Sequence, residues 1–352
     1  MENIWTTYYR VNAVGDANCI YMVRTKCIEG CGWCPDCKRK SFMIDCGYQK
    51  EDDFSEKLKN QILDTDEFLL SHYHLDHYKG FSKIEDNSLS IEKVYYPFIP
   101  RMQNRYTLLR AMYFMSCLDG GELVGLIRRK NRIRNFKYEP VYMGQYIFDD
   151  KYAVIWPPKT LSKEVTILSS LQNGINKIEN ELNEQPEIRD VWVKFNRSKI
   201  DPRTLLFKND YNDSFGFIQG SKINVEQYKE TIYSIRGAIR NVTNRLSVCL
   251  YKKDEFLFLG DLEKEELLVC LQQLFVRNDK KCINVKYLIT PHHGTKNHYA
   301  PEIYSYVKAD NIISSNGDKR YNDFAQEYKF MGGQSHCTYE NDDFCDSTDE
   351  EI

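Results

Sequence analysis

Four potential metal ligands fall within six consecutive positions of the chain: His72, His74, Asp76 and His77. The surrounding ten residues read Ser71-His-Tyr-His-Leu-Asp-His-Tyr-Lys-Gly80. Alternate residues of an extended segment share a face, so His72, His74 and Asp76 can point the same way. A tight turn at Asp76-His77 brings His77 round to the same cavity. Imidazole and carboxylate together suit Zn²⁺, Mn²⁺ or Fe²⁺ better than Ca²⁺. Of the seven histidines in the chain, three sit in these six positions, which a merely polar loop would not require.

Other stretches also carry chemical capacity. Lys286-Tyr-Leu-Ile-Thr-Pro-His-His-Gly-Thr295 runs an apolar strand into His292-His293-Gly294. Asp261 ends the apolar run Phe256-Leu-Phe-Leu-Gly-Asp261. There it either reaches the edge of a pocket or caps a helix beginning near Glu263. Cys27, Cys31, Cys34 and Cys37 stand at spacings of four, three and three. Thiolates this dense in a hairpin tip suit one tetrahedral structural zinc ion. The first three also fit the CxxxCxxC spacing of an iron–sulfur cluster. Arg128, Arg129, Lys130, Arg132 and Arg134, with Lys137, put six cations in ten positions. This is either a solvated face or a surface that tracks phosphates, with Phe136 and Tyr138 offering faces for bases.

The elements that must position these residues are legible in part. Residues 19–24 and 41–46 read as a strand pair, and Leu69-Leu70 ends a further buried strand ahead of the His cluster. Phe54, Leu58 and Ile62 predict a helix over 51–64. Residues 91–96 and 152–156 read as strands, and 101–127 as a helix interrupted near Asp119-Gly-Gly121. Ile167, Leu168, Leu171, Ile175, Ile178 and Leu182 make one apolar helical stripe, for core packing or else a lid or dimer seam. Residues 185–222 show no clean period. A hairpin follows over 246–251 and 256–261, then strands at 286–291 and 311–317. The fold should be nearly complete there. Residues 340–351 carry seven acids and read as a mobile tail.

Length and composition bound the rest. At 352 residues with 42% hydrophobic content, one large domain or two ordinary ones can be built. The formal charge of −3 excludes a uniformly basic nucleic-acid coat. No apolar run reaches membrane-spanning length, and the start of the chain lacks the features of a secretory signal. Twelve cysteines in that setting argue for reduced thiols and metal ligands, and for a cytoplasmic protein.

The stretch 72–77 resembles the HxHxDH signature of the metallo-β-lactamase superfamily. Gly15-Asp-Ala17 before the first strand, Asn244 and Ser247 before the later hairpin, and His292-His293-Gly-Thr295 bring it closer to the metallo-β-lactamase domain of ComEC-type DNA-uptake proteins. The resemblance implies an α/β fold, the four-layer αββα sandwich, over 1–317. Residues 27–37 would be a Cys-rich hairpin insertion, 160–240 a helical or irregular insertion, and 318–352 a C-terminal segment with the acidic tail. It implies two divalent ions, Zn or Mn. His72 and His74 would hold one; Asp76, His77 and His293 the other; Asp261 would bridge them, and His292 would meet a substrate oxyanion. One ligand usual in the superfamily is missing: no His lies between His77 and His292. The implied function is a phosphodiesterase or nuclease acting on nucleic acid or a nucleotide through a metal-activated hydroxide. A carbonyl ester, lactone or thioester hydrolase is the alternative. So is an inactive scaffold in a bacterial defence or competence system, recruiting a protein partner through the Cys hairpin or acidic tail. No membrane partner is expected.

The Cys cluster generates its own prediction. A Cys31→Ser, Cys34→Ser variant should carry about one zinc fewer per chain, as expected if one four-thiolate site holds one ion. Elemental analysis showing equal zinc in variant and parent would remove the site.

Overall fold

Alternation along short apolar strands sets both sheets of the protein, which is described here as a computed structural model. The described residues are 3–28, 38–118, 127, 129–133, 135–161, 164–197, 223 and 226–350. The class is mixed α/β, and the chain divides into two compact units. The first comprises Met1–Phe98, Lys130–Pro157 and Leu246–Ile352; the second, Ile99–Arg129 and Pro158–Arg245.

In the first unit, one sheet holds β1 (Asn3–Val11), β2 (Ile20–Ile28), β3 (Lys38–Ile44), β4 (Glu67–Leu69), β5 (Lys93–Pro97) and β6 (Lys137–Val141) in spatial order. The other holds β7 (Tyr146–Ile147), β8 (Tyr152–Trp156), β9 (Cys249–Lys252), β10 (Phe256–Phe258), β11 (Ile283–Ile289), β12 (Val307–Ser314) and β13 (Gln334–Cys337), again in spatial order. The last strand, β14 (Phe344–Glu350), returns to the first sheet beside β1. Side chains on alternate positions face one way. Phe42, Ile44, Leu69 and Tyr95 from one sheet therefore share a core with Leu250, Phe256, Phe258, Tyr287 and Ile289 from the other. A hydroxyl pair joins the sheets within it, Tyr9 Oη to Tyr152 Oη at 2.6 Å.

Both sheets repeat one connection pattern. Read from β14 and from β7, each has three antiparallel junctions followed by three parallel ones. β3 and β10 hold corresponding places, as do β4 and β11. The carboxyl ends of parallel strands are where open α/β sheets bind ligands. Here they are the ends that carry Asp45, the His72–His77 loop, Asp261 and His292-His293.

Helix α1 (Glu56–Leu63) buries Leu58 and Ile62, with Ser55 as its cap: Leu58 N–H donates to Ser55 Oγ at 3.1 Å. The expected start at 51 is instead a separate 3₁₀ turn, Glu51–Asp53. A four-residue helix, α2 (Leu75–Tyr78), carries Asp76 and His77.

The second unit packs α3 (Arg105–Leu118), α4 (Val165–Glu184), α5 (Pro186–Asn196) and α6 (Lys229–Asn244) on one another. The predicted stripe on α4 is core: Ile167, Leu171, Ile175, Ile178 and Leu182 are buried. Within 185–222, where no period was legible, α5 buries Ile188, Trp192 and Phe195, and Trp192 meets Phe114 edge-on at 5.6 Å. Residues 198–222 lie outside the described residues. No helix among the described residues is long and apolar enough to cross a membrane.

The acidic end of the chain differs from the expected mobile tail. β14 pairs with β1 from Trp5–Glu350 to Val11–Phe344. Acids in and beside it find partners elsewhere in the chain. Asp343 accepts from Arg10, Lys57 and the Ala13 amide, each at 2.6 Å, and Lys286 Nζ lies 3.2 Å from Asp346. Acid count alone misled because the countercharges are far away in sequence. Removing residues 344–352 should strip β1 of this partner and leave it as an edge. Stability should fall by roughly 2 kcal/mol or more, since each ladder bond contributes about 1 kcal/mol net. A urea unfolding midpoint unchanged by the truncation would show that β14 is dispensable.

Candidate metal centre

Four strand ends of the first unit converge. The segments after β3 and β4 are bonded together: Cys46 N–H donates to the His77 carbonyl (2.8 Å), and Gly80 N–H to the Cys46 carbonyl (2.8 Å). Gly47 is needed for this closeness, because a Cβ there would collide with the Asp76 carbonyl oxygen. Val248 N–H donates to the Ser71 carbonyl at 2.8 Å, tying the His loop to the other sheet.

Asp45 is fully buried and is the anchor of the loop. Its Oδ1 accepts from Ser71 N–H (2.8 Å) and its Oδ2 from Ser71 Oγ (2.6 Å). Oδ2 also lies 2.7 Å from His77 Nδ1. That bond commits the Nδ1 proton and leaves Nε2 turned inward. His77 Nε2 is buried without a hydrogen-bond partner, 3.8 Å from Asp261 Oδ2. His293 repeats the device. Its Nδ1 donates to the Ser315 carbonyl at 2.7 Å, and its Nε2 lies 3.5 Å from the same Asp261 oxygen. His72 Nε2 stands 3.8 Å from that oxygen and 2.8 Å from His74 Nδ1. Asn18 Nδ2 donates to the remaining Asp261 oxygen at 3.3 Å.

Two ligand groups result, His72/His74/His77 and His77/Asp261/His293, each with donor atoms mutually within 4.8 Å. All five side chains are buried. The donor set fits a divalent first-row ion: imidazole nitrogens and a carboxylate, with an orphaned buried nitrogen aimed among them. Electrostatics agree. Burial works against a charged His77, but Asp45, Asp261 and Asp76 outweigh it and push its pKa up to about 9. A cation is what these carboxylates require. Burial, reinforced by His77 and His74, holds His72 well below its ordinary value, as a neutral imidazole. Burial would raise Asp261, yet His293, His292 and His72 hold it well below the carboxylate range.

Asp76 stands outside both groups and is partly buried. Its burial is overcome by His77 and His74, so it titrates below its usual value. The expected Asp76 ligand thus faces the centre electrostatically without completing a group. The helix-cap alternative for Asp261 is not used: α7 (Lys264–Arg277) begins three residues on, with Glu263 in the cap position.

His292 parts company with His293. Both take left-handed backbone, φ 46° and 60°, and Gly294 follows at 76°. Their rings lie 6.1 Å apart at 88°. His292 stacks on His298 instead, 3.6 Å between ring centres at 8°, in a third group with Glu263.

Of the remaining expectations, Arg129 and Arg132 are exposed, and Lys130 is bound to Asp86 at 2.9 Å. Arg128 and Arg134 lie outside the described residues. So do Cys31, Cys34 and Cys37, and of Cys27 only the backbone, in β2, is described. Sequence reasoning missed Asp45, Ser71, Asn18, Ser315, Glu263 and His298. Asp45 alone carried a signal, an acid closing an apolar strand as Asp261 does.

No family model and no curated protein matches the chain.

Asp45→Asn keeps the side-chain volume but weakens the hold on His77. Metal affinity should fall about 10- to 100-fold, the usual cost of losing a carboxylate behind a ligand His. Equilibrium dialysis with Zn²⁺ on folded variant and parent measures this, and equal affinities would deny Asp45 the role.

Proposed function

We propose that the chain is a metal-dependent hydrolase of the metallo-β-lactamase type, acting on phosphodiesters of nucleic acid or nucleotides. The observation that carries this is the convergence of four buried histidines and Asp261, in two groups that share His77, from the ends of corresponding strands in two sheets. The paired sheets with a shared core support the αββα sandwich, and the order of motifs along the chain supports the family.

His72 and His74 would hold one divalent ion, His77 and His293 the other, and Asp261 would bridge them. Such a pair would supply a water of lowered pKa and would neutralise charge on a phosphoryl oxygen. The protein's part is orientation. Asp45 and the Ser315 carbonyl fix which nitrogens of His77 and His293 face inward. Asn18 holds Asp261. Asp76, outside both groups, would add negative charge beside the second ion, to which the resemblance assigns it as a further ligand. Arg129 and Arg132 are the described members of the basic stretch left exposed for a polyanion.

A carbonyl-ester hydrolase is the second reading. Lys130 favours it, since its pairing with Asp86 draws one cation out of the stretch that would track phosphates.

Turnover of a chromogenic phosphodiester and a chromogenic carboxylate ester by the full chain, with Mn²⁺ or Zn²⁺ added, separates these readings. Phosphodiester turnover is expected, and Asp261→Ala or Asp76→Ala should lower it by roughly two orders of magnitude or more, as for other charge-stabilising groups. Turnover of the ester alone would select the second reading. Full activity in Asp261→Ala would sink both.

A further inference from the structure

The Glu263, His292 and His298 group lies outside the centre just described, and its hydrogen bonds raise a specific problem. Thr295 has one hydroxyl proton, and Thr295 Oγ1 donates it to the His292 carbonyl at 3.1 Å. With that proton on the carbonyl, the 2.8 Å contact between Thr295 Oγ1 and His298 Nδ1 has the ring N–H as donor; with it on Nδ1 instead, Nε2 carries the ring proton toward Glu263. In a neutral imidazole the first arrangement leaves the lone pair on Nε2. His298 Nε2 faces Glu263 Oε2 at 3.2 Å. In the first arrangement two acceptors face each other at that distance, and either a proton or a metal ion must stand between them.

The same arrangement occurs at His77 and His293. There, too, Nδ1 is committed to an acceptor and Nε2 is turned toward a carboxylate. The third partner fits. His292 is buried, its Nδ1 lacks a hydrogen-bond partner, and its donor atom lies within 4.8 Å of those of Glu263 and His298. A spacing of 3.2 Å is also that of two ligands on one ion, because bonds of about 2.0–2.1 Å at tetrahedral angles put neighbours about 3.3 Å apart.

Glu263 stands in the cap position of α7 without a side-chain cap hydrogen bond. His298 comes from the 3₁₀ turn Lys296–His298 and stacks on His292, and the two parallel rings must swing apart for both to turn in-plane nitrogens to one ion. The side chains of Glu263 and His298 are 28% and 13% exposed, so water can reach the group and complete a coordination shell.

We propose that Glu263, His292 and His298 form a third divalent-cation site, a two-histidine, one-carboxylate set of the kind that takes Zn²⁺. It is distinct from the groups around Asp261 and joined to them through the His292-His293 dipeptide and the Asp261-Leu262-Glu263 segment. This assignment replaces the expectation that His292 meets an oxyanion unaided. It does not depend on the substrate or on catalysis.

Zinc content after equilibrium dialysis of the full chain tests it without an activity readout. Glu263→Gln, which keeps size and hydrogen bonding, should bind about one ion fewer than the parent, and His298→Ala likewise. Asp261→Ala provides the independent background. It should retain an equivalent that the Asp261→Ala, Glu263→Gln double variant lacks. Circular dichroism identifies variants that fail to fold; if His298→Ala is one, the Gln variants decide. Equal zinc content and affinity in parent and Glu263→Gln would overturn the site and leave His298 as a protonated partner of Glu263. Retention of the same zinc by single and double Asp261 variants would overturn it as well.

Discussion

A carboxylate sealed from water must be answered by donors, and Asp45 determines what those donors are. A buried polar group left unpaired costs on the order of 1–3 kcal/mol, and a charge more. Asp45 meets that demand with two bonds from Ser71 and one from His77. The consequence is geometrical. The loop after β4 is pinned to the end of β3, and the His77 ring has one permitted orientation. Every other feature of the centre takes that ring as its reference, since His77 belongs to both ligand groups.

The duplicated sheet pattern explains why such a site arises between sheets without any single element carrying it. Each sheet delivers an acid after one strand and imidazoles after the next: Asp45 with His72, His74 and His77, then Asp261 with His292 and His293. The acids have diverged in use. Asp45 sits behind the ligands as a support, whereas Asp261 faces three imidazole nitrogens at 3.5–3.8 Å. Packing the two inner faces into one core places the strand ends side by side, so sheet pairing and site assembly are a single event.

Much of this was legible, for identifiable reasons. The strands around 42, 154, 250 and 257 announced themselves as short, nearly continuous apolar runs, and those around 20 and 287 through alternating buried and less buried positions. The helical stripe on α4 was legible because it repeats from Ile167 to Leu182. Ligand candidates at 72–77 and 292–293 were visible because histidine is scarce and clustered. What was hidden depends on long-range pairing. Asp343 finds Arg10 and Lys57, Ser315 finds His293, and Asn18 finds Asp261, across separations of roughly 20 to 330 residues that no local pattern records. The misread acidic tail is the same failure: its charges look unmatched only until β1 is beside it.

Adjacent histidines give the least expected result. In an extended strand, neighbours point to opposite faces, and in a helix they diverge by about 100°; neither form leaves the chain free to turn back at once. The left-handed run from His292 to Gly294 does both. Such backbone costs a non-glycine residue roughly 1–2 kcal/mol, and strain of this kind persists only where surrounding contacts fix it. The fixing contacts are present. His292 N–H donates to the Gly260 carbonyl (2.9 Å), His293 is held by the Ser315 carbonyl, and Ala325 N–H donates to the Gly294 carbonyl (2.9 Å). Gly294 is obligatory in this turn, since a Cβ would press on both Ser314 and Phe324 at a positive φ. A relaxed turn could deliver one imidazole to the centre. The strained one delivers His293 to Asp261 and His292 to His298 and Glu263.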